Sequence, residues 1–144
     1  MLQRGGCRLV HNHPSQGSLS QADWSLALAE PGIAEIVAVN SGGTTFRGEV
    51  IDWPGLHAVV SGLNAIRDRL EQVASNLASG RPSEMNVILR LEPLWSHLLN
   101  ERLAAKGLLD YEIMPCADDA TTLTCPRSSP YLADALARMI TLLP

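Results

Sequence analysis

Residues 7 to 23 read Cys7-Arg8-Leu9-Val10-His11-Asn12-His13-Pro14-Ser15-Gln16-Gly17-Ser18-Leu19-Ser20-Gln21-Ala22-Asp23. The apolar stretch ending at Val10 predicts a short strand that runs up to His11. Residues 14 to 19 carry Pro, Ser and Gly and read as a loop. Ser20 suits a helix N-cap, with the helix running from about Gln21 to Ala29 and stopped by Pro31-Gly32. Side chains two apart on an extended segment share a face, so His11 and His13 point the same way. Asp23, in the first turn of the helix, can return a carboxylate oxygen to the same point. Two nitrogens and one oxygen leave a fourth tetrahedral position for water, the arrangement of a catalytic rather than a structural zinc. Zn2+ is therefore the expected cofactor, held by His11, His13 and Asp23. Ser20 is the expected catalytic residue, offering its hydroxyl to a developing oxyanion. Ser-x-x-Asp is also the spacing of a helix capping box, and the two roles are compatible.

Outward from this stretch, Ile33 to Asn40 contains Ile-Val-Ala-Val and predicts a buried strand. Ser41-Gly42-Gly43 makes a turn, and Thr44 to Val50 predicts a second strand, so the two form a hairpin. Pro54 opens a long helix. Leu56, Val59, Val60, Leu63, Ile66, Leu70, Val73 and Leu77 form one apolar stripe, and Gly80-Arg81-Pro82 stops it. Met85 to Leu91 fits strand or helix. Pro93 starts a helix reaching about Lys106, with Gly107 as its stop. Leu109 to Met114 predicts a further strand, residues 115 to 128 a loop, and Ser129-Pro130 the start of a last helix. The fold class is α/β (α+β): a single domain with a mixed sheet flanked by helices. Residues 1 to 80 form the metal-binding core, and 81 to 144 a mixed, largely helical C-terminal extension packed on the same domain.

The 144 residues suit one domain, and 46% hydrophobic against 18% charged residues allows an ordinary core. Aromatics are only 4%, so that core is aliphatic. The net charge is −4 and Lys106 is the only lysine. Gripping a phosphate backbone takes a basic face, so nucleic acid is not the expected partner. Cys7, Cys116 and Cys125 are an odd set with no C-x-x-C, which predicts free thiols in a reducing compartment, with a Cys116–Cys125 bridge as the alternative. No apolar run approaches membrane-spanning length and no signal peptide is visible, so the expected location is cytoplasmic.

The stretch His11-Asn12-His13-Pro14-Ser15, then Ser20 and Asp23, resembles the JAMM motif (H-x-H, a spacer, S-x-x-D) of the JAB/MPN+ zinc metallopeptidases. It is most like the bacterial branch that includes RadC-type proteins. Ile36-Val37-Ala38-Val39 and Phe46-Arg47-Gly48 resemble the strands that follow the motif, so the likeness covers about residues 7 to 50. It implies a JAB/MPN-like domain that hydrolyses peptide or isopeptide bonds in a peptide or protein substrate. In that family a glutamate upstream of H-x-H is the general base. None of the residues before His11 is a carboxylate, so the expectation is a JAB-like domain lacking the usual N-terminal part. The base, a term worth about 10²–10⁴-fold, then comes from outside this sequence or from Glu30, Glu35 or Glu49. The alternatives are a degenerate JAB-like interaction module and a RadC-like DNA-associated protein. A partner chain or a second copy is expected to complete the missing layer.

Several residues have plainer readings. The letters His-Asn-His invite a nuclease comparison, but those families spread their residues over a ββα unit. His57 and His97 have no partner at metal-ligand spacing and read as surface or satisfied core histidines. Trp24, Trp53 and Trp95 read as packing residues, with Trp24 walling the site. Arg47-Gly48-Glu49 reads as a strand end, with a substrate contact left open.

Overall fold

A computed structural model describes residues 6–13, 17–79 and 95–116. Four strands form one mixed sheet in the order β1 (Cys7–Asn12), β2 (Ile33–Val39), β3 (Thr45–Val50), β4 (Leu109–Met114). β1 and β2 run parallel, joined by helix α1 (Gln21–Ala29), and the β2–β3 and β3–β4 pairs are antiparallel. The chain is thus α+β, with one local β-α-β unit at its start. The predicted hairpin is present. Its turn is held by Asn40, whose Oδ1 accepts the N–H groups of Gly42 at 3.0 Å and Thr44 at 2.9 Å. Gly43 has a φ of 86°, a left-handed value that favours glycine.

Period-two alternation gives the sheet two unlike faces. Ile36, Ala38 and Phe46 are buried on the face that α1 covers. Trp24 and Ala27, three apart on α1, supply the other half of this core together with Leu19. Gly48 makes the close approach feasible, because a Cβ there would lie 2.3 Å from the Trp24 ring. The opposite face carries Arg8, Glu35 and Arg47 from three neighbouring strands. Glu35 is hydrogen-bonded to both arginines. Burial alone would push its carboxyl up, but Arg47 and Arg8 outweigh that and hold it below the ordinary 4.5.

The long helix expected after Pro54 is two helices. α2 (Trp53–Val60) is N-capped by Asp52, and α3 (Leu63–Ala78) starts after Ser61-Gly62. The apolar stripe holds from Leu56 to Leu70, while the side chains of Val73 and Leu77 lie outside the described residues. Leu56, Val60, Leu63 and Leu70 are all buried, so the burial pattern runs in phase across the break. α4 (Trp95–Ala105) ends where Gly107 takes a φ of 78° and the chain turns into β4. Leu103 and Leu109 then join the core. The readings for residues 80 to 94 and 117 to 144, the last helix among them, lie outside the described residues. Among the described residues no helix is long and apolar enough to cross a membrane, and Cys7 and Cys116 are free thiols.

Candidate metal centre

β1 delivers both histidines from one face of a strand, and α1 delivers the carboxylate from its first turn. His11 sits in register with Ala38 of the parallel neighbour, which puts it on the face α1 covers. Its Nε2 lies 2.8 Å from His13 Nε2. Asp23 Oδ1 lies 3.0 Å from His11 Nε2, and Asp23 Oδ2 lies 3.4 Å from His13 Nε2. Ligands about 2.0–2.2 Å from a tetrahedral zinc stand roughly 3.3–3.6 Å apart. The three donor groups span a slightly contracted version of one tetrahedral face. His11, His13 and Asp23 therefore form a group that can hold a metal ion.

The surroundings orient these donors. His13 Nδ1 is 3.2 Å from the Gly17 carbonyl, and donating its proton there leaves the Nε2 lone pair facing the other donors. Asp23 Oδ2 accepts from the Ser20 backbone N–H at 2.7 Å and from the Ser20 hydroxyl at 2.8 Å. With the Asp23 N–H returning to Ser20 Oγ at 3.4 Å, the capping box is complete. Ser20 thus lies beside the donors with its hydroxyl turned onto Asp23. The Asp23 and His13 side chains are 11% and 14% exposed and that of His11 is 29% exposed, so solvent reaches the group past His11. Among the described residues, His11 Nδ1 is buried without a hydrogen-bond partner.

The other candidates stand elsewhere. Glu35 is on the far face of the sheet and engaged by Arg8 and Arg47. Glu49 follows Arg47 by two positions on β3 and shares that far face. Glu30 caps the end of α1 away from Asp23. None of these glutamates joins the group. Arg47 also faces Glu112 and Asp110 of β4, so it does not reach the site. His57 is exposed. His97 is buried and bonded, as a satisfied core histidine should be. Trp24 is fully buried, and its Nε1 donates to Asn100 at 2.8 Å. Sequence reasoning did not single out Asn100 or Tyr111, which reach the loop before α1 from 81 or more positions away. The chain matches no protein-family model, no curated protein and no solved structure.

Proposed function

We propose that this domain is a zinc-dependent metallohydrolase of JAMM type that cleaves peptide or isopeptide bonds. The observation that carries the reading is the convergence of His11, His13 and Asp23 donors on one point open to solvent. Bound zinc supplies Lewis acidity and a water of lowered pKa. His13 is oriented by the Gly17 carbonyl and offers a neutral nitrogen. Asp23 adds negative charge to the donor set. Ser20 holds Asp23 at rest and turns its hydroxyl toward the substrate oxyanion as the carbonyl is attacked. Among the described residues, Glu30, Glu35 and Glu49 stand apart from the donor group, so none of the three is assigned the proton-carrying role. That same observation favours a second reading, a JAB-like module that binds metal without catalysis.

Metal analysis and thermal melts test the centre. The expected outcome is about one equivalent of zinc and a melting temperature that rises on loading. Less than about a tenth of an equivalent, with identical melts, would sink the metal reading. Chelator-sensitive hydrolysis of isopeptide-linked and plain peptides separates the two readings. Activity that returns with zinc supports the hydrolase, and tight zinc binding without turnover supports the module.

A further inference from the structure

The loop that leads into α1 is gripped from the other end of the described chain. Asn100 of α4 is 2% exposed, and its amide group makes three hydrogen bonds. Nδ2 donates to the Leu19 carbonyl at 2.8 Å and to Ser18 Oγ at 3.2 Å, and Oδ1 accepts Trp24 Nε1–H at 2.8 Å. Ser18 Oγ lies 2.6 Å from the Tyr111 hydroxyl, which lies 2.9 Å from His97 Nδ1. His97 Nε2 faces Glu101 at 3.4 Å. One polarity satisfies the whole chain: Asn100 donates to Ser18, Ser18 to Tyr111, Tyr111 to His97, and His97 to Glu101. Burial pushes the Tyr111 hydroxyl well above its ordinary pKa, against its bond to Ser18, so it stays protonated and able to donate.

The segments gripped are Ser18-Leu19 and Trp24, which flank Ser20 and Asp23 on both sides. A packing role alone needs only apolar volume at these positions. Directional bonds to both flanks fix where the segment between them stands. We propose that Asn100 and Tyr111 are positioning residues for the metal centre: through Ser18, Leu19 and Trp24 they set the Ser20–Asp23 segment, and hence the third ligand, against His11 and His13. The inference rests on the metal-centre reading above.

The test uses the whole chain with Asn100→Asp and Tyr111→Phe. The first keeps the acceptor for Trp24 and loses the donors to Ser18 and Leu19. The second keeps the ring and loses the hydroxyl. In metal-free protein, hydrogen exchange at the Ser20 and Trp24 amides is compared with the β2–β3 ladder amides of Ala38 and Phe46. In Co2+-loaded protein, affinity and the visible d–d spectrum are read. The expected result is selective loss of protection at Ser20 and Trp24, a changed Co2+ spectrum, and affinity lower by about 10–100-fold. Val60→Ala, a core change in α2, should lower the melting temperature and leave the spectrum as in wild type. Uniform loss of protection, with wild-type Co2+ affinity and spectrum, overturns the inference alone. Wild-type protein that takes up no Co2+ overturns the metal reading itself. If Asn100→Asp does not fold, Tyr111→Phe decides.

Discussion

Asp23 divides its carboxylate between two tasks. Oδ2 takes the Ser20 N–H and hydroxyl, while Oδ1 stands 3.0 Å from His11 Nε2. One residue therefore starts α1 and completes the donor triangle. Asp23→Asn separates the tasks, because the amide keeps a carbonyl oxygen for the cap and loses the charge. Unfolding of the metal-free variant should cost no more than a lost cap, about 0.5–2 kcal/mol, while zinc affinity in a competition titration falls at least about tenfold. An unchanged affinity would remove Asp23 from the ligand set. The spacing of His11, His13, Ser20 and Asp23 made this cluster legible in the sequence, since strand alternation and a helix start place them by local rules. The Asn100 and Tyr111 contacts obey no local rule. Their partners lie far away in sequence, and a polar residue in a helix or strand does not announce which loop it will meet.

At the scale of elements, the contact between α1 and β3 decides how close the helix can lie to the sheet. A Cβ at Gly48 would stand 2.3 Å from the Trp24 ring and 2.9 Å from Leu19. Gly48→Ala should therefore destabilise the fold by about 1–3 kcal/mol, the scale of an overpacked core. Chemical denaturation measures it, and a variant as stable as wild type would mean the helix shifts freely. Strands, the hairpin and α1 were readable because each is a local pattern of period two or a capped helix. The break at Ser61-Gly62 was not. Val60 and Leu63 are three apart, a spacing a continuous helix also uses, so periodicity stays silent about the interruption.

At the scale of the molecule, the sheet has a chemical side and a charged side. Glu35, tied to Arg8 and Arg47, links β1, β2 and β3 on the charged side. Its folded pKa is depressed, so the stabilisation is present above the ordinary 4.5 and is lost as pH falls through the lower folded value. Glu35→Gln should be less stable than wild type at neutral pH, and the gap in urea unfolding should close as pH drops below about 4.5. A gap constant with pH would mean the pair contributes by packing alone. This ion pair also escaped the sequence, which shows only one glutamate interrupting an apolar strand.

The parallel β1-α1-β2 unit has one more consequence, for how the centre comes together. All three donors lie between positions 11 and 23, so gathering them closes only a short loop. Loop-closure entropy rises with length, by about 0.6 kcal/mol per doubling, and here the length is close to minimal. Gathering the donors therefore carries a small closure cost, whereas the contacts of Asn100 and Tyr111 with Ser18 and Leu19, made across 81 or more positions, carry a larger one.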